Sequence, residues 1–544
     1  MRSSSGHRSP SSPAIRRQPA AAATRRVPPS KSRAAALILA VAVLWLEPSF
    51  FTAFAEGEES EAVMSTIRVA QPVPRTLDPH RVFTSPESAA IANIYESLTF
   101  FNAEGQLQPV LAESWERTDE KTWRFDLRHG VRFQNGELLT AQDVQYTFER
   151  GKSKGYNYIP DSIATVRPLA EHSLEIVTSR PDPDLPRRLV SFFIVSSRSE
   201  ADLEVSANGT GPFRVREFRS GEKLSLVANR DYWRGSPALS NIEYLSYPSQ
   251  DAALEDLTAG KIDLTSINAS AAVAIDQGSD HLWVFSVLSS SLSVLLLDTD
   301  HLPLSDTRIR KALDLTLDRR EIAEGALLGY ARPCPRLPIS LFSDHEEDPR
   351  ASSAPDLEAA RKLLDAAGYP NGLSLSYGRI GDPENDSESV GQIHRAIREQ
   401  LSRVGIAVDF KYFDSLENLL EARKQGAVQV FLIVLVDEVL DATNIYASLY
   451  HSRRAYQGFY HLNGQDQNLA KKIDELIDLA SQADQASRAE LLREVSLILA
   501  EERFDLPILR GISLWGGRKT LEWQPRFDTL ILGVDFGAEV DLKK

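Results

Sequence analysis

Three acidic residues follow a strongly apolar segment and are candidates for binding chemistry. Residues 428–436 contain a single polar residue, Gln429, which is typical of a strand buried on both faces. Asp437 and Glu438 come directly after this segment, and Asp441 follows three residues later. Because ligands of open α/β sheets gather beyond the carboxyl ends of strands, carboxylates placed here would suit a cationic group such as an ammonium. The plainer interpretation is a solvated loop whose acids bind nothing.

The sequence lacks the usual patterns of an enzyme or a metal site. The ten histidines are scattered without an HxxxH or HExxH pair, and there is no GxSxG or P-loop pattern. His451 and His461 flank an aromatic-rich stretch but lie ten residues apart. Residues 289–291, three consecutive serines among apolar residues, favour a loop rather than a nucleophile. We therefore expect no catalytic residue, no metal and no cofactor, with a secreted hydrolase as the enzymatic alternative.

Length and charge exclude some classes of partner. The 544 residues are too many for one ordinary core, so two or three lobes are expected. The formal net charge is −15, and residues 56–544, with 53 basic and 75 acidic residues, carry −22. Such a balance argues against nucleic acid or an anionic membrane surface as a partner.

The first 55 residues have the pattern of a secretory signal peptide. A basic stretch ends at Arg33, residues 34–46 are apolar, and Ala53-Phe-Ala55 is a small-x-small cleavage site. Thirteen apolar residues are fewer than the ~20 that a membrane span requires, although an uncleaved anchor is the alternative. The single cysteine, Cys334, allows no internal disulfide and is too far from the site to carry a lipid. We therefore predict a periplasmic protein released by cleavage.

Local patterns in the sequence also predict individual helices and strands. The apolar residues Ile94 and Leu98 predict a short helical segment. In residues 123–127 apolar and charged residues alternate, as in a half-buried strand. Thr140-Ala-Gln-Asp143 has the spacing of a capping box, as does Asp318-Arg-Arg-Glu321, so a helix should begin at each.

The order of several short motifs resembles a known family. These motifs are Leu111-Ala-Glu-Ser-Trp115, Leu127-Arg-His-Gly130, Phe133-Gln-Asn-Gly136, Thr140-Ala-Gln-Asp-Val144 and Gly209-Thr-Gly-Pro-Phe213. Together they are similar to the signature of the extracytoplasmic solute-binding proteins of peptide-type ABC importers, family 5. The resemblance implies an α/β fold with two lobes and hinge crossings, the large three-segment variant of the type II periplasmic-binding-protein fold.

The resemblance also implies an order of lobes along the chain. Lobe I is expected from residues 56–97, 206–297 and 506–544. An extra subdomain of lobe I should occupy residues 98–205, and lobe II residues 298–505.

The family's ligand-binding positions can be transferred by motif. Relatives that bind peptides hold the ligand's α-amino group with an Asp after the buried strand. Counting without a gap from Gly426 places Glu438 there, whereas a one-residue bulge would place Asp437 there, and Asp441 follows. Arg423 falls where such relatives can carry a basic residue for the ligand's carboxylate; a solvated helix-end arginine is the alternative.

A second group of candidate ligand residues follows the tetrad Leu77-Asp-Pro-His80. In relatives the residues just after this tetrad line the cleft and pair with the ligand backbone, which here points to Phe83, Thr84 and Ser85. A surface loop before a helix is the alternative interpretation.

The chain departs from the family near the acids. Val434, Leu435, Val439 and Ala442 replace a frequent Gly-Trp before the acid and Tyr-x-Asp-Pro after it, which puts the peptide assignment in doubt. The pattern of nickel-binding relatives has a His soon after the second acid. This chain has Thr443 in that place, which argues against a nickel site.

The resemblance finally implies a function. We expect a monomeric binding protein that captures a peptide or small-molecule ligand and delivers it to an ABC permease and its ATPase subunits. The alternatives are a binder of a non-peptide solute, such as a glycan oligomer or an opine, and a ligand-sensing subunit for a membrane signalling partner.

Overall fold

The computed structural model describes residues 66–82, 85–154, 159–160, 162–198, 203–337, 353–381, 388–435, 442–453 and 467–537. The predicted signal peptide lies outside these residues. Within the described ranges, no helix combines the length and the apolar character needed to cross a membrane.

Strands of the chain form three sheets. Eleven described strands make one mixed sheet in the order β15-β14-β16-β12-β17-β11-β1-β10-β9-β8, with β13 paired to β17; β4-β5-β7-β6 and β2-β3 form the other two. The strands are β1 (Thr66–Ala70), β2 (Thr99–Phe101), β3 (Leu107–Pro109), β4 (Ala112–Asp119), β5 (Thr122–Leu127), β6 (Ile163–Ala170), β7 (Ser173–Thr178), β8 (Phe213–Arg219), β9 (Lys223–Ala228), β10 (Asn241–Leu245), β11 (Leu264–Ser266), β12 (Leu282–Leu297), β13 (Ala331–Pro333), β14 (Leu373–Ile380), β15 (Ile406–Phe413), β16 (Val430–Leu435) and β17 (Asp505–Arg518).

Helices cover the large sheet and one face of the four-stranded sheet. They are α1 (Ser85–Ile91), α2 (Ala141–Ser153), α3 (Leu185–Arg188), α4 (Gln250–Thr258), α5 (Ala269–Gly278), α6 (Thr307–Thr316), α7 (Arg319–Leu327), α8 (Leu357–Ala366), α9 (Glu388–Ser402), α10 (Leu416–Lys424), α11 (Ala442–Tyr450), α12 (Gln467–Gln482) and α13 (Gln485–Glu502).

Two long antiparallel strands, β12 and β17, connect the lobes. Their first and last parts pack in different cores: Phe285 and Trp515 lie with the core around β1 and β9–β10, whereas Leu295 and Leu506 lie with the core around β14–β16. The two strands therefore run from one lobe into the other, in agreement with the predicted two-lobed α/β fold and its hinge crossings. The exact limits of the lobes stay a prediction.

The three consecutive serines lie where these strands cross. The pairing of β12 with β17 shifts between Leu288 and Leu292, so that residues 289–291 form a bulge opposite Gly511. The prediction of a loop here is wrong, because both flanks of the bulge keep their backbone pairing. The hydroxyl groups of Ser289 and Ser291 lie 2.6 Å apart, and a Cβ on Gly511 would meet Ser291 Oγ at 2.2 Å.

Helix starts follow the predicted capping residues. The backbone N–H and the hydroxyl of Thr140 both donate to the carboxylate of Asp143 at 2.8 Å, and α2 begins at the next residue. Asp318 caps α7 by accepting from the backbone N–H groups of Arg320 and Glu321. These local hydrogen bonds confirm the two predicted helix starts.

The stretch from Ile94 to Leu98 is not helical, contrary to the sequence prediction. Helix α1 ends at Ile91, and the carbonyl groups that a helix would use accept bonds from other segments instead. The Ile94 carbonyl accepts from the N–H of Gly211 at 2.9 Å, and the Leu98 carbonyl accepts from Ala112 at 3.0 Å. Tertiary pairing therefore overrides the apolar pattern in this stretch.

Glu96 fixes this stretch to the Gly209–Phe213 motif and to residues 232–233. Its carboxylate is 8% exposed and accepts hydrogen bonds from Thr210 Oγ1 at 2.8 Å, Tyr232 Oη at 2.6 Å and Trp233 Nε1 at 2.8 Å. Burial raises the pKa of this carboxyl, and the three donors favour its charged form. One buried side chain thereby joins the stretch at Ile94 to two segments more than a hundred residues further along the chain.

The glycines beside Thr210 are required by close packing. A Cβ at Gly209 would lie 2.0 Å from the backbone oxygen of Ile94, and one at Gly211 would lie 2.6 Å from the same atom. Any side chain here would push apart the two segments that Glu96 holds together.

We predict that Gly209→Ala lowers the free energy of unfolding by about 1–3 kcal/mol, because the added methyl group collides with a backbone oxygen that cannot rotate away. Urea denaturation followed by tryptophan fluorescence measures the change. Gly278→Ala is the matched control, since Gly278 lies in α5 and a Cβ there meets open space. Equal stability of the two variants would contradict the proposed steric constraint.

Candidate functional site

The acidic candidates follow a strand at the edge where three parallel strands end. Asp437, Glu438 and Asp441 lie outside the described residues, but β16 ends at Leu435, two residues before Asp437. Strand β14 is parallel to both β15 and β16, so their carboxyl ends lie at one edge of the sheet.

This edge is open to solvent. Ile380, the last residue of β14, is 50% exposed, and Val434 of β16 is 51% exposed. Exposed apolar side chains beside the carboxyl ends of parallel strands give a surface on which a partly apolar ligand can pack.

The predicted cleft segment after the tetrad is described only in part. Phe83 and Thr84 lie outside the described residues, and Ser85 begins helix α1 without a described side chain. Their role as ligand residues stays a prediction.

The tetrad itself is firmly anchored. Arg150 of α2 donates to both carboxylate oxygens of Asp78, at 2.9 and 2.7 Å, and its Nη1 lies 2.6 Å from His80 Nδ1. Asp78 and His80 are buried. Burial, and then the Arg150 charge, lower the pKa of His80 to about 4, so the imidazole is neutral at pH 7. The buried pair holds the chain in place just before the predicted ligand residues.

Arg423 is described and buried. It lies in the last turn of α10, is 4% exposed, and donates from Nη2 to the Leu297 carbonyl at 3.3 Å. Burial lowers its pKa, while the carboxylates of Asp505 and Asp298 act in the opposite direction. A solvated helix-end arginine is therefore excluded, and the guanidinium is held against internal acids. Contact with a ligand carboxylate stays a prediction.

Asp505 is a buried acid that sequence reasoning missed. It begins β17, and its Oδ1 accepts from the N–H of Leu297 at 3.0 Å, while the side chain of Tyr450 bonds to the same carboxyl. Burial raises the pKa of this carboxyl to about 7, against the opposing effect of Arg423. An acid directly before an apolar run carries no sequence signal that separates it from a turn residue.

Histidines do not gather into a metal site within the described part of the chain. No three His, Cys, Asp or Glu residues are grouped there so as to hold an ion. His451 is buried, accepts from the Arg453 N–H through Nδ1 at 3.1 Å, and places Nε2 3.2 Å from Asp478. This geometry makes Nε2 the protonated nitrogen, which ties the end of α11 to α12. His461 lies outside the described residues.

We predict that Asp505→Asn changes the pH dependence of stability. The carboxyl has an ordinary pKa of 3.8 and a folded value of about 7, so the folded state binds the proton more tightly and the wild type loses stability as pH rises between these values. Relative to Asp505→Asn, the wild type should lose roughly 2–4 kcal/mol across this window. Urea denaturation from pH 4 to pH 8 measures the difference.

Asp365→Asn is the control, because Asp365 lies on α8 with an exposed side chain. Its curve should follow that of the wild type. A constant difference between wild type and Asp505→Asn at every pH would show that Asp505 stays charged throughout.

Known proteins with the same fold bind chemically different solutes. Residues 106–457 match the family described as bacterial extracellular solute-binding proteins, family 5 Middle. The nickel-binding protein NikA of Staphylococcus aureus is 26% identical over 340 residues, which span 60% of this chain and 66% of that protein. A probable di/tripeptide-binding protein of Pseudomonas aeruginosa is 23% identical over 490 residues, 82% of this chain and 90% of that protein.

A solved structure supports the fold. The periplasmic binding protein AgaA from A. tumefaciens R10, in complex with agropinic acid, superposes with a TM-score of 0.66 at 21% identity and covers 88% of this chain and 99% of that protein. The family match covers more than half of the chain, and the members of this family are binding proteins, which confirms the prediction that the chain is not an enzyme. The chain belongs to the bacterial extracellular solute-binding proteins of family 5, the solute-binding components of ABC importers.

Proposed function

We propose that the protein is exported to the periplasm, captures a peptide or peptide-like solute between its lobes, and delivers it as a monomer to an ABC permease and its ATPase subunits. Family membership supports the binding role. The observation that carries the peptide assignment is the placement of three acids after β16, where parallel strands end beside exposed apolar side chains.

Each candidate residue has a chemical role in this proposal. Glu438, or Asp437 if the strand ends in a bulge, pairs with the ligand's α-ammonium group, and Asp441 adds negative charge. Residues 83–85 form backbone-directed hydrogen bonds with the ligand. Arg423 attracts the ligand's carboxylate from its buried position. Affinity then comes from enclosing the ligand, and delivery from the difference between the open and closed lobes.

A non-peptide solute is the second candidate. The relatives carry names that refer to nickel and to di- and tripeptides, and the AgaA structure holds agropinic acid. The departures from the peptide pattern at Val434 and Leu435 favour this alternative. Mass spectrometry of the ligand that co-purifies from native periplasm would distinguish the two.

We predict that Glu438→Gln weakens the binding of free peptides by about tenfold to a hundredfold, because it leaves a desolvated ammonium without its partner charge. The probe is a pool of synthetic di- to pentapeptides, and binding is followed by the fluorescence of the seven tryptophans. The same pool with acetylated N-termini should bind the wild type as weakly as free peptides bind the variant.

The matched control is Glu475→Gln, since Glu475 is an exposed residue of α12. Asp437→Asn and Asp441→Asn identify which acid is decisive. Failure of the wild type to respond to any peptide in the pool would reject the peptide assignment and leave the non-peptide solute.

We predict that the exported protein begins at Glu56, after removal of residues 1–55. Amino-terminal sequencing of protein from the periplasmic fraction tests this directly. Ala53→Arg should block cleavage, because the cleavage pattern requires a small residue, whereas Ser60→Arg should leave cleavage unchanged. A mature chain that retains residues 1–55 in the membrane fraction would favour the uncleaved anchor.

A further inference from the structure

The extra subdomain is fixed to lobe I by two buried acids. Glu96 lies in lobe I, two residues before the subdomain; its carboxylate accepts from Thr210 and Trp233 of lobe I, and its backbone carbonyl accepts from the N–H of Ile194 in the subdomain. Asp78 of lobe I accepts two bonds from Arg150, which lies on the subdomain's helix α2. Any motion of lobe I must therefore carry the subdomain with it, since separation would break the Ile194–Glu96 backbone bond and leave the Asp78 carboxylate buried without its partner.

The subdomain also contacts lobe II through an ion pair. Arg488 of α13 pairs through Nη1 with Oδ2 of Asp184, the residue before α3. The side chains are 11% and 19% exposed, respectively, so the pair is largely shielded from water. Because Asp184 lies in the subdomain and Arg488 in the predicted lobe II, this contact joins the two lobes.

Both partners are held in place by their own elements. Arg488 donates from Nε to the Ala480 carbonyl at 3.0 Å and from Nη2 to the Ala483 carbonyl at 2.8 Å, at the end of α12. On the other side, Trp123 Nε1 donates to the Asp182 carbonyl at 2.9 Å, which ties the Asp184 loop to the four-stranded sheet. The charged groups therefore meet without much loss of side-chain freedom.

An apolar contact supports the pair. Phe101 and Val190 of the subdomain are 4% and 3% exposed and belong to the same core as Tyr446, Ile473 and Leu492 of lobe II. Beside it, a solvent-accessible groove is lined by residues from both sides, including Arg117, Pro181 and Gln482. Separating the two sides must therefore expose these apolar side chains to water as well as break the ion pair.

We propose that the Asp184–Arg488 pair and its apolar contact form an inter-lobe latch, which holds the lobes together and sets how readily they separate. The inference rests on the proposed function, because a latch has a role only if the lobes open and close around a solute. It assigns the extra subdomain a part in the conformational cycle. Opening must break the pair, whereas closing restores it.

The test measures the distance between lobes without any ligand. Spin labels at Glu116→Cys in the subdomain and Lys471→Cys in lobe II, in a Cys334→Ser background, report this distance by pulsed electron paramagnetic resonance. Asp184→Arg should increase the ratio of open to closed molecules by roughly tenfold or more, because it replaces a shielded ion pair with two like charges. Asp184→Asn should give a smaller shift in the same direction.

Asp365→Arg is the control, since it makes the same charge change on the exposed face of α8. The reversed pair Asp184→Arg with Arg488→Asp should restore the short distance, and circular dichroism establishes that each variant is folded. Coincident distance distributions for wild type and Asp184→Arg would overturn the latch. Because no ligand is added, that result is independent of whether a peptide binds, so failure of the latch and of the proposed function are separable.

Discussion

The buried carboxylate of Glu96 is the constraint on which the architecture depends. Its three donors come from two segments that lie more than a hundred residues beyond it in the chain. A buried acid is tolerated only when it is well hydrogen-bonded, so the motifs that contain Thr210, Tyr232 and Trp233 must return to the place where the subdomain begins. The segments around Thr210 and Trp233 are therefore held against the stretch that begins at Ile94.

The contacts of Glu96 and Asp78 and the crossing strands β12 and β17 hold different parts of the structure together. Strands β12 and β17 continue from one lobe into the other with a bulge at residues 289–291, where the register of the pairing shifts. We expect the predicted subdomain to move with lobe I, because Asp78 and Arg150 join them, and to move relative to lobe II when the strands bend at the bulge. Under this proposal the contact between Asp184 and Arg488 affects closure of the lobes.

The charges buried inside lobe II differ in their surroundings from the charges that are expected to bind a ligand. Arg423 is buried, and the carboxylates of Asp505 and Asp298 oppose the effect of burial on its pKa, whereas the acids after β16 follow a strand whose residue Val434 is exposed. Burial raises the pKa of Asp505 to about 7, so this carboxyl is about half protonated at pH 7 and offsets the charge of Arg423 only in part. Ligand selection is thus expected to depend mainly on the acids at the sheet edge, with a smaller contribution from the buried Arg423.

Local patterns in the sequence determined the elements of the fold. The capping residues Thr140 and Asp318, the alternation in residues 123–127 and the apolar run in residues 428–436 act over a few residues, so they are readable without knowledge of the fold, although the predicted burial of the run on both faces is wrong at the exposed Val434. The motif order likewise identified the family. Only the tertiary structure decided what depends on distant partners: the irregular stretch at Ile94, the bulge within β12, and the buried charges of Arg423 and Asp505. These features arise from hydrogen bonds and desolvation between segments far apart in the chain, and no local pattern encodes such distances.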